Sequence, residues 1–306
     1  MRLISYGAFD HERAGILQDG DILDLEDAMR ASRSTQPVSD IRLFLEQPDW
    51  RLIADRCVAA PRSGALVDAN KVRIGSPVPV PRKLIIAGAN TRSHLAEAKP
   101  VLGDITPPNK PMILAKATSS LCGPFDDLIH PPETRKLDYE VELGVVIGRR
   151  CRRIKESQVR AHVAGFTTCN EVSARDIQLA EHEKNAFYRT HFIGKSFDTF
   201  NPMGPALVTV DEFEWGKPLK MRTEVNGEVR QSSDTSDLYF GVEQLVAYIS
   251  EAMTLYPGDV IVTGSPAGVA FFMSPQRFLQ PGDTVRCEIE GVGAIENRVR
   301  LEEIKR

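Results

Sequence analysis

Two glutamates separated by one residue, Glu140 and Glu142, are the side chains in this sequence best suited to bind a metal ion. They lie in residues 137–148, where every odd position is apolar. A period of two predicts a β-strand, whose alternate side chains point to opposite faces, so both carboxylates share one face. Like charges so placed repel, and a hard cation such as Mg²⁺ or Mn²⁺ would relieve the repulsion. A half-buried strand with an acidic solvated face is the alternative interpretation.

A third carboxylate and two further polar side chains follow the next predicted strand, residues 165–169. Glu171 stands just beyond the end of this strand, where a sheet can bring it to the first two glutamates. Arg175 and Gln178 are three residues apart, so in a helix they share a face and can contact one ligand. The Arg175 guanidinium suits an anionic carboxylate. An ion pair with Asp176 or Glu171 is the alternative.

His94 and Glu97 form a candidate base. They are three residues apart, so in a helical turn the carboxylate can hold the imidazole and make it a better base for water. An exposed surface pair is the alternative. Residues 99–110 contain three prolines and a glycine, which predicts an irregular, mobile loop next to this pair.

Two other segments carry candidate residues. Lys195 follows a glycine among apolar residues, and a partly buried lysine needs an anionic partner. Thr263, Gly264 and Ser265 follow a predicted strand, where backbone N–H groups could be donated to an oxyanion. A plain turn at these three residues is the alternative.

The elements that must position these residues divide into two predicted domains. Residues 1–78 predict a small N-terminal α+β domain, with a hairpin turn at Asp19-Gly20 and no cluster of reactive side chains. Residues 78–81 read Val-Pro-Val-Pro, a stiff extended connector. Residues 79–306 hold all the candidate side chains and form the predicted β-rich catalytic domain.

Composition and charge argue against several classes of protein. With 38 Lys and Arg against 42 Asp and Glu, the net charge of −4 gives no reason to expect nucleic acid or an anionic membrane as a partner. The apolar runs are too short to span a bilayer, and the first residues lack the apolar core of a signal peptide. Five cysteines without C-x-x-C spacing predict reduced thiols in a cytoplasmic protein and argue against a zinc site.

Four short motifs occur in order along the chain. They read DYEVELG at 138–144, NEVSARD at 170–176, GKSFDTF at 194–200 and TGSPAGV at 263–269. Together they resemble the fumarylacetoacetate hydrolase family, over about residues 80–302. The resemblance implies a β-rich α+β fold, a mixed β-sandwich roll, and a homodimer.

The resemblance also implies roles for individual residues. Glu140, Glu142 and Glu171 match the ligands of one Mg²⁺ or Mn²⁺ ion, which chelates a small-molecule 2-oxo acid as the substrate. Lys195 matches a residue that steadies developing negative charge. His94 and Glu97 match a pair that activates water from a segment that orders over the substrate. Substrate contacts are implied for Arg175, Gln178, Thr263, Gly264 and Ser265.

The chain departs from the family pattern at three places. Glu171 stands where Asp is usual, and its extra methylene moves the carboxylate by about 1.5 Å at most. Ser265 stands where Thr is more frequent, which keeps the hydroxyl. Residues 179–192 are longer than in many members, which predicts a reshaped substrate pocket.

These observations lead to one main hypothesis and three alternatives. The main hypothesis is a metal-dependent hydrolase that cleaves a C–C bond in a 2,4-dioxo acid of catabolism, such as an acylpyruvate. In this mechanism His94 takes a proton from water, while the metal, Lys195 and the 263–265 backbone stabilise the enolate that leaves. The alternatives are an isomerase of a hydroxymuconate-type diene acid, a decarboxylase of an oxaloacetate-like acid, and a non-catalytic metal-stabilised binding module.

Overall fold

The computed structural model describes residues 1–31, 38–59, 66–103, 106–181, 184–185 and 189–303. Its α-helices are α1 (Leu25–Ala31), α2 (Ile41–Leu45), α3 (Trp50–Ala59), α4 (Arg92–Leu102), α5 (Arg175–Gln178), α6 (His191–Lys195) and α7 (Val242–Ala252). Its strands are β1 (Arg2–Tyr6), β2 (Arg13–Gln18), β3 (Asp21–Asp24), β4 (Leu66–Asp68), β5 (Ile74–Gly75), β6 (Leu84–Gly88), β7 (Met112–Ala115), β8 (Leu121–Cys122), β9 (Leu128–His130), β10 (Leu137–Asp138), β11 (Val141–Ile147), β12 (Val163–Asn170), β13 (Ser173–Ala174), β14 (Asn201–Thr209), β15 (Lys220–Val225), β16 (Glu228–Asp234), β17 (Val260–Val262), β18 (Thr284–Ile289) and β19 (Gly293–Leu301). In this part of the chain, no helix has the length and apolarity needed to cross a lipid bilayer.

Within the described residues, twelve strands form one mixed sheet. Ten of them follow the order β4-β3-β2-β1-β14-β12-β11-β17-β6-β7, while β5 pairs with β1 and β8 pairs with β14. β1 runs antiparallel to β14, with Arg2 opposite Val208 and Leu3 opposite Leu207. The N-terminal strands therefore continue the sheet that carries the candidate residues. The domain boundary near residue 78 stays a prediction.

A second sheet packs against the first. Its five strands within the described chain follow the order β16-β15-β18-β19-β9. One apolar cluster contains Val145 and Phe166 from the large sheet together with Met221, Ile289 and Ile295 from the second sheet. The two sheets thus enclose a common core, as in a sandwich. The predicted β-rich α+β fold is confirmed.

The stretch predicted as one strand over residues 137–148 is divided into β10 and β11. The backbone at Glu140 leaves the strand ladder because its N–H donates to Asn170 Oδ1 (2.9 Å) and its C=O accepts from the Glu171 N–H (2.8 Å). β11 lies between β12 and β17, and all of its residues are buried. The alternative of a solvated acidic face is therefore wrong, since that face lies in the interior.

The proline-containing segment after the predicted histidine–glutamate pair is more regular than predicted. α4 continues to Leu102 and includes Pro100 in its last turn. Proline has no N–H to donate, so the helix loses one intrahelical hydrogen bond at this position, and only two helical residues follow it. Gly103 ends the helix with φ 79°, and its N–H donates to the Lys99 C=O (2.9 Å). Any irregular segment thus begins at Gly103, and residues 104–105 lie outside the described chain.

Candidate active site

A cavity of about 180 Å³ lies where β6, β7, β11 and the end of β12 meet α4, α5 and α6. Nine of the predicted residues line it: His94, Glu140, Glu142, Glu171, Arg175, Gln178, Lys195, Gly264 and Ser265. Glu97 and Thr263 do not line it. The cavity is smaller than the roughly 300–1,000 Å³ of sites for drug-sized ligands, so it suits a small acid. A larger cleft, of about 1140 Å³, lies elsewhere and contains none of the predicted residues.

The pairing of β11 with β12 brings the three glutamates together. Val141 lies opposite Asn170. Glu140 and Glu142 are the neighbours of Val141 along the chain, and Glu171 follows Asn170, so the three glutamates meet at this point of the pairing. One carboxylate oxygen from each glutamate lies within 4.8 Å of the other two. All three side chains belong to residues that are at most 4 % exposed. Three oxygen ligands this close together are suited to one hard divalent ion.

Two cations lie against these carboxylates. Lys195 Nζ is 2.7 Å from both Glu140 Oε2 and Glu171 Oε2, and Arg175 Nη2 is 2.8 Å from Glu140 Oε1. Burial acts to raise the pKa of Glu140, but the Arg175 and Lys195 charges hold it well below its usual range. Burial, and then Glu171 and Glu140, raise the pKa of Glu142 well above its usual value. Of the three glutamates, Glu142 is therefore the one whose ionised form a bound cation would stabilise most.

The donor set fits a divalent metal ion. Glu171 Oε1 is buried and has no hydrogen-bond partner among the described residues. A buried acceptor left without a donor costs roughly 1–3 kcal/mol, and a metal ion would remove that cost. Carboxylate oxygens are also the ligands that Mg²⁺ and Mn²⁺ prefer. The residues present can therefore hold such an ion.

His94 and Glu97 form the predicted pair in the first half of α4. His94 Nδ1 lies 2.7 Å from Glu97 Oε1, and Glu97 Oε2 accepts a hydrogen bond from the Gly268 N–H (2.8 Å). The His94 ring packs edge-on against Phe272, with 5.5 Å between ring centroids. A carboxylate at Nδ1 favours the tautomer whose Nε2 carries the lone pair. Since His94 lines the cavity, it can act there as a base that Glu97 orients.

Arg175 makes hydrogen bonds through Nε and Nη1 and an ion-pair contact through Nη2. Nε lies 2.9 Å from Asp138 Oδ2, Nη1 lies 3.1 Å from Gln178 Oε1, and the third nitrogen contacts Glu140. Its guanidinium thus orders the wall of the cavity and neutralises part of the glutamate charge. The substrate contact implied for Arg175 stays a prediction.

Asp138 is a site-building residue that the sequence analysis missed. Its buried carboxylate accepts hydrogen bonds from the N–H groups of Ala270 (2.8 Å) and Phe271 (3.1 Å), in addition to the Arg175 contact. These bonds attach the aromatic wall of the cavity to the strand that bears the glutamates. Its position, two residues before Glu140 on the same predicted strand face, was the available signal.

The segment after β17 uses its backbone differently from the prediction. The Gly264 N–H donates to Glu142, and the Thr263 N–H donates to the Leu143 C=O (3.1 Å). Neither N–H is therefore available to an oxyanion. Thr263 is fully buried behind the cavity, whereas Gly264 and Ser265 line it.

Two further basic residues near the site were not predicted. Lys116 is buried, and its Nζ lies 2.7 Å from the Phe200 C=O and 3.3 Å from the Val172 C=O. Burial lowers the pKa of Lys116 to about 8. His191 opens α6 and lines the cavity. The sequence around His191 did not predict a functional role, because it is a lone histidine before an apolar run. For Lys116 the available signal was its position at the end of an apolar strand.

Residues 83–300 match the family model described as "Fumarylacetoacetate (FAA) hydrolase C-terminal". The chain is 42% identical over 280 residues to "Oxaloacetate tautomerase FAHD2A, mitochondrial" of Bos taurus. The matched residues cover 92% of this chain and 84% of the relative.

Solved structures of similar fold include an HpcE protein from Mycobacterium smegmatis, with a TM-score of 0.84, 36% identity and coverage of 99% of this chain and 100% of the other. Maleylpyruvate hydrolase from Sphingobium sp. SYK-6, in complex with manganese(II) ion and pyruvate, has a TM-score of 0.77 and 27% identity, with the same coverage.

Proposed function

Because the chain belongs to the fumarylacetoacetate hydrolase family, we propose that it is a Mg²⁺- or Mn²⁺-dependent enzyme that interconverts the keto and enol forms of an oxaloacetate-like 2-oxo acid. The observation that carries the proposal is one small cavity in which an imidazole paired with a carboxylate faces three clustered glutamates. The name of the bovine relative, an oxaloacetate tautomerase, supports this reaction over the hydrolysis expected from the sequence.

The residues of the cavity divide the work of such a reaction. A divalent ion held by Glu140, Glu142 and Glu171 would supply Lewis-acid polarisation of the 2-oxo group, which acidifies the adjacent C–H. His94 Nε2 accepts the proton from that carbon, and the C–H electron pair forms the enol double bond. The 2-oxo oxygen takes up a proton from the imidazolium or from solvent, which completes the enol. Glu97 keeps Nδ1 protonated throughout and stabilises the imidazolium.

Hydrolysis of a 2,4-dioxo acid is the second candidate. The likeness to maleylpyruvate hydrolase favours it, and a carboxylate-held imidazole is equally suited to take a proton from water. Isomerisation of a diene acid and decarboxylation of oxaloacetate would use the same enolate. A panel of acylpyruvates, oxaloacetate and hydroxymuconate-type acids, followed by absorbance with Mg²⁺ or Mn²⁺, separates these reactions.

The test of the main proposal is the decay of enol-oxaloacetate absorbance. The metal-loaded enzyme should accelerate it, and His94→Ala should slow the catalysed rate by a factor on the order of 10²–10⁴, the usual contribution of a general base. His11→Ala, which alters an exposed histidine, is the matched control and should change nothing. A metal-saturated wild-type enzyme that leaves the spontaneous rate unaltered would rule the proposal out.

The metal site has a separate test. Glu142→Ala removes the carboxylate whose raised pKa marks the greatest need for positive charge. The rise in melting temperature that Mg²⁺ produces in the wild type should disappear in this variant, because an ion that binds the native state stabilises it. An undiminished rise would place the ion elsewhere.

We also propose that the protein is a homodimer, from the resemblance, and that it lies in the cytoplasm, from its cysteine pattern. The bovine relative, whose name describes it as mitochondrial, argues weakly against the cytoplasm. Light scattering on the purified protein and localisation of the full chain in its own cell test these two points.

A further inference from the structure

We propose that His191 selects substrates that carry a second carboxylate, by binding this group at the wall of the cavity formed by α5 and α6. The inference rests on the proposed function in one respect: the substrate is a 2-oxo acid whose oxo-carboxylate end binds the divalent ion that Glu140, Glu142 and Glu171 would hold. It adds the part of the site that recognises the other end of the molecule.

His191 is unlike the other polar side chains that line the cavity. Among the described residues it has no hydrogen-bond or ion-pair partner, although it is half-buried. The others are already held: His94 by Glu97, Ser265 Oγ by Gln231 Nε2 (2.8 Å), and Lys195 by two glutamates. A polar group withdrawn from water gains most from a ligand that completes its hydrogen bonds.

The position of His191 is set by the packing of α6 on α5. The Thr190 N–H donates to the Gln178 C=O (3.2 Å), and a Cβ added at Gly194 would lie 2.5 Å from Gln178 Cα. His191 therefore lies beside Gln178, whose Oε1 accepts from Arg175 Nη1 and whose Nε2 remains a donor. Together the imidazole and the amide give this wall two neutral N–H donors.

The surroundings of His191 favour an anion. Burial, and then the charge of Lys195, lower the pKa of His191; Arg175 and Arg189 add to this effect and Glu171 opposes it, so the neutral imidazole is favoured. The apolar side chains that line the cavity offer no donors: they are Ala87, Ala89, Met112, Leu114, Leu179, Phe271 and Phe272. A carboxylate placed against those groups would lose its hydration without compensation, so His191 is the group that makes a dicarboxylate acceptable.

The experiment compares two stable ligands by calorimetry in the presence of Mg²⁺. Malate carries a second carboxylate and pyruvate does not. His191→Phe keeps an aromatic ring and removes the donors, so it should weaken malate binding by a factor on the order of 10–100, the usual effect of losing a hydrogen bond to a charged group. Pyruvate binding should change less than about twofold, because pyruvate would bind at the divalent ion held by the glutamates and has no second carboxylate for His191.

Three further variants complete the comparison. His191→Gln keeps an N–H donor and should restore most of the malate affinity. His191→Ala repeats the test without the bulk of a phenyl ring. Ile193→Ala alters an exposed side chain of the same helix and should leave both affinities unchanged.

Two results would overturn the proposal. Unchanged malate binding in both His191→Phe and His191→Ala would show that the imidazole does not contact the second carboxylate. Equal weakening of malate and pyruvate would show that His191 only supports the cavity. Failure of the proposed function looks different, since the enzyme would then lack tautomerase activity while its preference for malate over pyruvate, and the effect of His191, remained measurable.

Discussion

Lys195 contacts two of the glutamates that are predicted to bind metal, so its charge acts on those ligands as well as on any substrate. A lysine that touched only the substrate could be removed without effect on the metal centre. In this structure its removal would leave three buried carboxylates, of which Glu140 keeps an ion pair with Arg175. Breaking a buried ion pair in this way leaves an uncompensated charge.

Lys195→Met should therefore destabilise the protein in EDTA by about 3–5 kcal/mol, the range for breaking a buried ion pair. Added Mg²⁺ should recover part of this loss, so the metal-induced gain in the free energy of unfolding should be larger than in the wild type. Denaturant unfolding with EDTA and with Mg²⁺ measures both. Lys217→Met, at an exposed lysine, is the control. An identical gain in Lys195→Met and the wild type would refute the argument.

Lys116 provides a prediction for the pH dependence of stability. Its pKa is about 8 in the folded protein against an ordinary value of 10.5. Between these two values the unfolded chain holds the proton and the native protein does not, so this group makes stability rise with pH over that window. The full rise in the free energy of unfolding is on the order of 3 kcal/mol. Below about pH 8 Lys116 is charged in both states, and the native protein bears the whole cost of burying that charge.

The measurement is the difference in unfolding free energy between the wild type and Lys116→Met, taken in EDTA from pH 7 to 10.5. The wild type should gain relative to the variant as pH rises through the window. Lys71→Met, at an exposed lysine, should track the wild type. A difference that stays constant with pH would mean that Lys116 titrates at its ordinary value.

Residue types and spacing were sufficient to predict most of the polar side chains that line the cavity, but not which contacts these side chains make with one another. The glutamates and the histidine pair lie within short local patterns, and strand or helix geometry brings them to one face. His191, Lys116 and the Asp138–Arg175 contact depend on packing between distant segments, which no local pattern encodes.

At the scale of elements, α4 is attached to the rest of the site along its first turns. Thr91 Oγ1 donates to the Ser265 C=O (2.6 Å), Arg92 Nη1 donates to the Leu238 C=O (2.7 Å), and Glu97 accepts from the Gly268 N–H. These contacts come from two separate segments, so the start of the helix is held in place before any substrate binds.

The amides of residues 95–98 should therefore exchange slowly in the absence of ligand, and oxalate with Mg²⁺ should change their exchange rates less than about tenfold. Thr91→Val removes both the helix cap and the bond to Ser265, and should speed exchange across this turn. A large gain in protection on oxalate binding throughout residues 91–103 would instead support the mobile segment expected from the sequence.

The alternation over residues 137–148 shows what a local pattern omits at this scale. It correctly predicted strand structure and placed two carboxylates on one side. The break at Glu140 arises from the side chain of Asn170, the last residue of β12, and from the N–H of Glu171, which follows that strand. Burial of the second face follows from the neighbouring layers of the fold, which the alternation does not describe.

At the scale of the whole molecule, the N-terminal segment completes the large sheet. Deleting residues 1–78 would expose the edge of β14 that β1 covers, and would remove buried side chains such as Leu3, Ile16 and Leu23 from their cluster. An uncovered apolar strand edge promotes association. Residues 79–306 alone should therefore aggregate or lack a cooperative unfolding transition.

Size-exclusion chromatography and urea unfolding of the shortened chain, beside the full chain prepared in the same way, test this expectation. A monomeric or dimeric product with a sharp transition would contradict it, and would show that the boundary predicted near residue 78 separates independently folding domains.

The close approach of Gly194 to Gln178 limits how the substrate specificity of this site can change in evolution or by design. A side chain at residue 194 would overlap the backbone of α5. The two helices can therefore pack this closely only because residue 194 is glycine. The same five-residue helix carries His191 at its first position and Lys195 at its last. A backbone movement that widened the substrate end would displace the lysine from the glutamates as well. New substrate preferences should therefore arise, in evolution and in the laboratory, by exchange of the side chain at 191 on an unchanged backbone. Libraries that remodel the backbone of residues 189–195 should mostly yield inactive proteins.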